Sequence, residues 1–495
     1  MPIPRGQVDA AVERLDGVVQ DLMGRSGVPG VATAVVHDDE LVYAKGFGVR
    51  RVGSDDAVDE HTAFQLASVS KPISATVVAR AVGEGHVRWD DPVSRHLRGV
   101  ALADAHTTRN VTIADLFAHR SGLPDHIGDV LEDLGAGRLT IVRRLRRAPL
   151  APLRQDYAYT NFGLTVGALA VAEAVGTSWE DLAQSTLYEP LGMGSTSSRH
   201  ADFVDRPNRA TLHVQRGGAW VTGAERRPDA QSPAGGVSSN VVDLARWMRL
   251  LLRDGGDEVS ADALAAMFTP RGPIAPPGTP DSRSTATGFG IDISVDATAR
   301  VRWTHSGAFA TGAATQLTLL PSEGLGIVVL TNGWPVGLPE GIAASFMDLA
   351  EQGRVTFDWL AGYGRLVEPM RTNPSRLFGA AGPSDPVPAR AASAYAGTYD
   401  NDFYGPLQVL ARGSGLTLVL GPKRRRFELA HRDGDTFSYD WQAENTFGIS
   451  AVDFTFGGRG RARCVQIENL DVAGLGTFTR SRPATASRTR LRRPA

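Results

Sequence analysis

A serine and a lysine three residues apart form the most informative short motif in the sequence. Ser68 and Lys71 occur in FQLASVSKPISATVVARAVGEG, whose apolar residues recur at helical spacing. Since three residues are nearly one helical turn, the hydroxyl and the amine are expected on one face, within reach of each other. A serine hydroxyl becomes a nucleophile when a base removes its proton. A lysine can serve as that base if a buried electropositive site lowers its pKa from about 10.4.

Two further motifs supply residue types that could complete such a site. YAYTNFGLTVG places Tyr159 and Asn161 just before a second amphipathic helix. A phenol there can shuttle a proton, and an amide can hold a substrate carbonyl. VRWTHSGAFATG places His305 and Gly307 at the end of a predicted strand, where a glycine lets the strand edge approach a substrate backbone. A lone histidine at a strand end is more often structural, but three such motifs in this order are hard to obtain by chance.

The elements that must position these motifs follow from hydrophobic periodicity. Apolar residues at helical spacing predict a helix over residues 10–25, and two apolar runs around residues 37–40 predict a β-hairpin. Three strands near residues 301–333 and a helix over residues 338–351 complete the same block. Helical segments are predicted between these ends, at residues 68–83, 112–119, 162–175 and 241–252. This order predicts an α/β sandwich, in which an antiparallel sheet receives strands from both ends and a helical subdomain is inserted between them.

Other polar residues close to these elements are expected to be structural. Thr112 and Asp115 have the spacing of a capping box at the start of a helix. His119 follows that helix in AHRSGL and is expected to fix the loop by a hydrogen bond. Gly235 and Gly236 are expected to form a turn beside the cleft.

The C-terminal part of the chain has a different composition. Residues 371–392 carry four prolines among small and polar residues, which is typical of a linker. Residues 393–480 contain short alternating runs separated by glycine and aspartate, and they predict a small antiparallel β-barrel. Residues 481–495 contain five arginines and no acidic residue, and a disordered basic tail is expected there.

The composition of the 495 residues excludes several classes of protein. The 52 Lys and Arg against 54 Asp and Glu give a formal net charge of −2, which argues against nucleic-acid or anionic-membrane binding by the whole surface. Cys464 is the only cysteine, so no intramolecular disulfide can form. No run of about 18 apolar residues and no secretory signal are seen, so a cytoplasmic protein is expected. The histidines lack zinc-ligand spacing, and neither a metal nor another cofactor is expected.

The order SVSK, YTN, HSG resembles the penicillin-recognising serine hydrolases. That family includes class C β-lactamases, D-Ala-D-Ala carboxypeptidases, D-aminopeptidases and esterases with a β-lactamase fold. The stretches TIADLFAHRSGLPDH, QSPAGGVSSNVVDLARWMRLLL and GFGIDI add to the likeness, which assigns residues 8–370 to a β-lactamase/DD-peptidase-like hydrolase domain. Residues 393–480 resemble the lipocalin-like β-domain attached to some members. The sequence departs from β-lactamases in the third motif, because His305 stands where they carry the lysine of K-T-G.

The resemblance implies an acyl-enzyme mechanism and a role for each motif residue. In that mechanism Ser68 attacks an acyl carbonyl, while Lys71 and Tyr159 share the general-base task and return the proton to the leaving group. Asn161 positions the substrate amide, and His305 contacts the substrate or supports the proton relay. The backbone N–H groups of Ser68 and Ala308 would form the oxyanion hole. The remaining implied contacts to substrate come from Ser306 and Gly307.

Three functions remain open from the sequence. The first is a serine hydrolase that cleaves peptide, amide or ester bonds, with D-amino-acid-containing peptides or small acyl esters as substrates. The second is an acyltransferase, a peptide-cyclising thioesterase of the penicillin-binding-protein type that acts on nonribosomal peptides. The third is a non-catalytic ligand-binding protein. The expected partner is a small-molecule or peptide substrate, with no nucleic acid or membrane and an open oligomeric state. The basic run at residues 423–426 is expected to be a solvated edge, or to hold a substrate carboxylate if it faces a cleft.

Overall fold

The described part of the chain forms two structural units. The computed structural model describes residues 2–275, 284–296, 298–458 and 460–481. The first unit comprises the described residues up to Thr372 together with Ala443–Asn445, and the second comprises Asn373–Gln442 and the described residues from Thr446 onward. The change of unit after Thr372 falls at the start of the predicted linker. Of the predicted basic tail, Ser481 alone lies within the described residues.

Helices fill the middle of the first unit, as the periodicity predicts. The described helices are α1 (Arg5–Ser26), α2 (Ser70–Gly83), α3 (Val93–His96), α4 (Ala105–Asn110), α5 (Ile113–Phe117), α6 (Asp129–Asp133), α7 (Arg138–Arg144), α8 (Asn161–Val175), α9 (Trp179–Ala183), α10 (His200–Asp205), α11 (Ser232–Gly235), α12 (Val241–Leu252), α13 (Ala261–Ala265), α14 (Leu338–Gln352) and α15 (Trp359–Val367). Among the described residues, no single helix is long and apolar enough to cross a membrane. One bent pair, Asn161–Val175 with Trp179–Tyr188, passes that test by length and composition only.

Strands from both ends of the first unit form one antiparallel sheet. The described strands are β1 (Gly30–His37), β2 (Glu40–Gly48), β3 (Phe64–Gln65), β4 (His213–Arg216), β5 (Ala219–Thr222), β6 (Ser238–Ser239), β7 (Gly272–Pro273), β8 (Ala286–Thr287), β9 (Asp292–Val295), β10 (Val301–Phe309), β11 (Ala313–Leu320) and β12 (Leu325–Thr331). The sheet order is β2-β1-β12-β11-β10-β9-β8-β7, and β3 pairs with β6 and β4 with β5 in two small sheets. The predicted α/β sandwich with an inserted helical subdomain is confirmed.

Helices cover the central strands of this sheet. Every residue of β1, β11 and β12 is buried, which explains why these strands are continuous apolar runs rather than alternating ones. One core layer joins α1 and α14 to the sheet through side chains that include Leu15, Val19, Ile327 and Phe346. Leu15 and Val19 belong to the apolar repeat that predicts α1, and Ile327 belongs to the apolar run that predicts β12.

The helix that carries the first motif differs in detail from its prediction. Helix α2 begins at Ser70, and the preceding residues Ala67–Val69 form a separate turn of 3-10 helix. The predicted apolar stripe is real, but α2 is buried on almost its whole circumference, including Lys71. The predicted capping box is confirmed, because Thr112 Oγ1 accepts from Asp115 N–H at 3.1 Å while Asp115 Oδ2 accepts from Thr112 N–H at 3.0 Å.

The second unit is a closed antiparallel β-barrel of eight strands within the described residues. A short helix, α16 (Ala392–Tyr395), leads into it. The strands, in barrel order, are β13 (Gly397–Asp400), β14 (Leu407–Arg412), β15 (Gly415–Leu420), β16 (Arg425–Asp433), β17 (Thr436–Gln442), β18 (Phe447–Phe456), β19 (Ala462–Ile467) and β20 (Thr477–Arg480). The predicted barrel is confirmed, and closure leaves no unpaired sheet edge.

Candidate active site

Ser68 lies in a strained turn just before α2. Ala67 has a φ of 48°, in the left-handed region, although it carries a side chain. Backbone strain of this kind persists where the surroundings fix it, and it concentrates at functional sites. The turn is held by Leu66, whose carbonyl accepts a hydrogen bond from Thr315 Oγ1 at 2.7 Å. The Ser68 hydroxyl is therefore presented from a fixed backbone.

Two side chains donate hydrogen bonds to the hydroxyl oxygen of Ser68. Lys71 Nζ lies 3.1 Å from Ser68 Oγ, and Tyr159 Oη lies 2.7 Å from it. Lys71 comes from the first turn of α2, whereas Tyr159 comes from the loop before α8. Ser68 itself is partly exposed. The three residues that the sequence names as nucleophile and proton-transfer groups are thus in contact.

Lys71 is fully buried and makes two further hydrogen bonds. Its Nζ donates to Asn161 Oδ1 at 2.7 Å and to the Ala234 carbonyl at 2.9 Å. Burial lowers the pKa of Lys71 to about 7, although the carboxylates of Asp129 and Asp292 act in the opposite direction. A lysine with this pKa is partly neutral at pH 7, and its free amine can accept a proton.

The loop that carries Tyr159 is fixed by His119. His119 is buried, and its Nδ1 accepts a hydrogen bond from the backbone N–H of Thr160 at 3.1 Å. Its ring also lies 4.6 Å from the Tyr159 ring, measured between centroids. The prediction that His119 fixes a loop is therefore confirmed. Burial raises the pKa of Tyr159 well above its ordinary value, so the phenol keeps its proton at neutral pH.

The third motif lies directly beside Ser68 on β10. A Cβ atom at Gly307 would lie 2.9 Å from the backbone nitrogen of Ser68, so glycine is required for this approach. In the described residues, β9 pairs with β10 only as far as Thr304, and the residues that follow have no partner on that side. Ala308 is the next residue after Gly307, and the role of its backbone N–H in the oxyanion hole stays a prediction.

His305 is buried and uncharged at neutral pH. Burial, together with the nearby charge of Lys71, lowers its pKa to about 3. Its Nδ1 donates to the Ser306 carbonyl at 2.7 Å, which leaves Nε2 as an acceptor. Ser306 is exposed, and its hydroxyl donates to Gln316 Oε1 on β11. The described contacts do not join that hydroxyl to Ser68, and its binding of substrate stays a prediction.

Two carboxylates near Lys71 were not singled out from the sequence. Asp129 Oδ2 accepts from Asn161 Nδ2 at 2.8 Å, and Asp292 lies on β9 close enough to affect Lys71. Burial raises the pKa of Asp292 to about 7, against the influence of Lys71. Asp292 occurs in the stretch GFGIDI, whereas nothing distinguishes Asp129 from the other acids of DHIGDVLED. Among the described residues, no group of three or more His, Cys, Asp or Glu side chains could hold a metal ion.

Family models and curated relatives match most of this chain. The family model described as "Beta-lactamase" matches residues 15–352, and the model described as a "Domain of unknown function (DUF3471)" matches residues 381–478. The chain is 31% identical over 394 residues to penicillin-binding protein 4 of Amycolatopsis lactamdurans, covering 77% of this chain and 95% of that protein. It is 25% identical over 487 residues to the unguisins hydrolase ungD of Aspergillus violaceofuscus, covering 89% of this chain and 85% of that protein.

A solved structure extends the likeness to the fold. The octameric penicillin-binding protein homologue from Pyrococcus abyssi superposes with a TM-score of 0.60 at 19% identity. The match covers 92% of this chain and 98% of that one. The matched residues therefore come from both units of this chain.

Proposed function

The chain belongs to the beta-lactamase family of serine hydrolases, and from that premise we propose that it cleaves peptide, amide or ester bonds through an acyl-serine intermediate at Ser68. The substrates that we propose are D-amino-acid-containing peptides or small acyl esters. One observation carries the proposal: Lys71 Nζ and Tyr159 Oη converge on Ser68 Oγ at 3.1 and 2.7 Å. A hydroxyl in contact with two proton-transfer groups is the arrangement that an activated nucleophile needs.

Lys71 is the base in this mechanism, and Tyr159 is the acid. Burial lowers the pKa of Lys71 to about 7 but raises the pKa of Tyr159 far above its ordinary value. At neutral pH a free amine is therefore available to take the Ser68 proton, while the phenol keeps its own. As the Ser68 oxygen bonds to the acyl carbon and the leaving group departs, Tyr159 protonates the leaving atom. The Lys71 ammonium then returns a proton to Tyr159.

The other motif residues stabilise and orient the acyl group. The backbone N–H groups of Ser68 and Ala308 bind the oxyanion that forms on the carbonyl oxygen. Asn161 Oδ1 accepts a hydrogen bond from the Lys71 amine. The same side-chain amide orients the amide of the substrate. His305 contacts the substrate as a neutral imidazole, because its pKa of about 3 keeps it uncharged.

Water is the proposed acceptor of the acyl group. The relative named an unguisins hydrolase supports hydrolysis as the outcome for this chain. Capture of the same acyl-enzyme by an amine would make the protein an acyltransferase. The two outcomes share every step up to the acyl-serine, so they differ only in the nucleophile that enters the second half of the reaction.

Labelling with a fluorophosphonate followed by mass spectrometry tests the proposal. We expect one adduct, on the peptide that contains Ser68, and no adduct in the Ser68→Ala variant. Ser70→Ala is the matched control, since this neighbouring serine is buried at the start of α2 and its hydroxyl accepts from Val237 N–H instead. An adduct that survives Ser68→Ala would overturn the mechanism. A folded protein that forms no adduct would favour the ligand-binding alternative.

A further inference from the structure

We propose that Asp129 is a positioning residue of the Ser68 site, because its carboxylate fixes the orientation of the Asn161 amide and, through it, one hydrogen bond of Lys71. This inference rests on the proposed acyl-serine function and adds to that function a residue that none of the three motifs contains. It concerns the helix α6, which lies outside all three motif segments.

The hydrogen bonds of Asn161 define which way its amide faces. Its Nδ2 donates to Asp129 Oδ2 at 2.8 Å, and its Oδ1 accepts from Lys71 Nζ at 2.7 Å. An ionised carboxylate has acceptors only, so it binds the NH₂ end of an amide and rejects the oxygen. If the amide were turned round, its NH₂ would face the Lys71 amine and its oxygen would face the carboxylate. Asp129 therefore selects the orientation that gives Lys71 an acceptor.

The position of Asp129 is itself tightly specified. Its side chain is 1% exposed, and Oδ2 also accepts from His126 Nδ1 at 2.9 Å. The preceding residue, Gly128, has a φ of 98°, and a Cβ atom there would lie 2.9 Å from Ile141 and 3.0 Å from Phe162. Any other residue at position 128 would therefore be strained and would move the start of α6. The backbone is thus built to hold the carboxylate where it meets Asn161.

The second carboxylate oxygen of Asp129, Oδ1, suggests why a charged residue stands at this position. Asp129 Oδ1 is buried and has no hydrogen-bond partner among the described residues. A half-satisfied buried carboxylate is costly, and a neutral side chain would fit the same place at lower cost. The two hydrogen bonds that Oδ2 accepts offset part of this cost, and the negative charge also raises the pKa of Lys71 against the effect of burial.

Several other groups also act on Lys71 and must be counted in any pH dependence. Asp292 raises its pKa, as Asp129 does. Burial acts against protonation of His126, but the hydrogen bond and charge of Asp129 raise the pKa of this histidine, so it can also carry a positive charge in the site. The titratable groups that face or influence Lys71 are Asp129 on α6, Asp292 on β9, His305 on β10, and His119, His126 and Tyr159 on loops.

The test measures the pH dependence of Ser68 labelling by a fluorophosphonate in the full-length Asp129→Asn variant. Asn keeps the shape of the side chain and removes the charge. We expect the labelling rate at pH 8 to fall by about tenfold or more, and the acid limb of the profile to move to lower pH by about one unit. The sign follows because removing a nearby negative charge lowers the pKa of the base. An unchanged rate and limb would overturn the proposal.

Asp125→Asn is the matched control. Asp125 is 66% exposed and faces the same His126 at 4.0 Å, but it has no contact with Asn161. Its loss should change the labelling rate by less than about twofold and leave the limb in place. A shift as large as that of Asp129→Asn would show that any nearby charge suffices, and it would overturn the positioning role.

A double-mutant cycle shows whether Asp129 acts through Asn161. In an Asn161→Ala background, Asp129→Asn should cost little further rate, whereas additive losses would contradict the inference. If Asp129→Asn fails to fold in a thermal-unfolding assay, Asp129→Glu replaces it, since Glu keeps the charge. The acid limb of the labelling profile of Asp129→Glu should then stay at the wild-type pH. A displaced acid limb would count against the positioning role of Asp129. Failure of the proposed function would appear differently, as absence of any Ser68 adduct in the unmodified protein.

Discussion

Lys71 and the basic run at residues 423–426 are cationic features of two different units with opposite surroundings. Lys71 is fully buried, has three hydrogen-bond acceptors and has a pKa lowered to about 7 by burial. Every residue of the run Lys423–Arg426 is exposed, at the turn between β15 and β16 and the start of β16. Burial is the largest cause that lowers the pKa of Lys71, and the exposed lysine of the run, Lys423, lacks such surroundings.

The residue type at position 71 also distinguishes this buried cation from the exposed run. The chain has 52 basic residues, and lysine occurs only at positions 45, 71 and 423. An arginine cannot give up its proton in a protein, whereas a buried lysine can. In a chain whose basic residues are nearly all arginine, a buried lysine beside a serine hydroxyl supports the proposal that position 71 needs a side chain that can release its proton.

The largest effect is expected from replacing Lys71. Lys71→Ala and Lys71→Arg should each lower the rate of Ser68 labelling by about 10³ or more, because neither variant can take the serine proton. The unmodified protein should gain reactivity as pH rises through about 7, since the neutral amine forms above that pKa. Stopped-flow or timed mass-spectrometric labelling between pH 5 and 9 measures both.

Lys45→Arg is the control for that prediction. Lys45 is half exposed and forms an ion pair with Asp16, which arginine can replace. It should label at the wild-type rate. A rate for Lys71→Arg within tenfold of wild type would mean that Lys71 is not the base, and the contrast between buried and exposed cations would lose its meaning.

A smaller loss is expected from Tyr159→Phe. The variant keeps the ring that packs against His119 and whose centroid lies 4.4 Å from Lys71 Nζ, but it removes the hydroxyl that donates to Ser68. Turnover of an amide substrate should fall by about 10², because its amine leaving group can depart only after it receives the proton that Tyr159 supplies. Near-normal turnover on an amide substrate, whose leaving group needs that proton most, would remove Tyr159 from the mechanism.

Features of the fold that depend on local pattern were predictable from the sequence. Helix α12 begins and ends at the predicted residues, 241 and 252, because its apolar residues recur at helical spacing and Asn240 caps it. Strand β16 was not predicted. Arg425–Asp433 is mostly exposed and rich in charge, so no alternation is visible, and its extended state depends on pairing with β15 and β17.

The candidate site divides in the same way. Ser68 and Lys71 are linked by one turn of chain, so their contact follows from spacing alone. Tyr159 and Gly307 could be placed beside them only through a family resemblance, because the contacts span long stretches of sequence. Asp129 was missed altogether, since its importance comes from a hydrogen bond to Asn161 and from burial, neither of which leaves a local signal.

A more modest effect is expected from introducing a positive charge at position 305. Because the pKa of His305 is about 3, the group is neutral over the working pH range and offers no cation to the carboxylate of a β-lactam. Nitrocefin hydrolysis should therefore stay below the ordinary enzyme range, which begins at a kcat/KM of about 10⁴ M⁻¹s⁻¹. His305→Lys should raise the ratio of nitrocefin to p-nitrophenyl acetate turnover by about tenfold, as one hydrogen bond to a charged group allows.

The neutral ester in that ratio is the internal control, because it has no carboxylate for the new lysine to bind. A general loss of activity in His305→Lys would lower both substrates and leave the ratio unchanged. Efficient nitrocefin turnover by the unmodified protein would show that a buried neutral histidine can replace the family's lysine.

The smallest effect is expected from the basic run of the barrel. In Lys423/Arg424/Arg425/Arg426→Ala, exposed cations are lost together with a hydrogen bond from Arg424 to Gln408 and a contact of Arg425 with the Trp441 ring. Exposed charges contribute little, so the melting temperature and the turnover of a neutral ester should change by less than about 2 °C and twofold. Substrates with and without a terminal carboxylate are compared in parallel. A loss confined to the carboxylate-bearing substrates would show that the run binds substrate, and the contrast with Lys71 would then be between two functional cations, one acting by proton transfer and the other by charge alone.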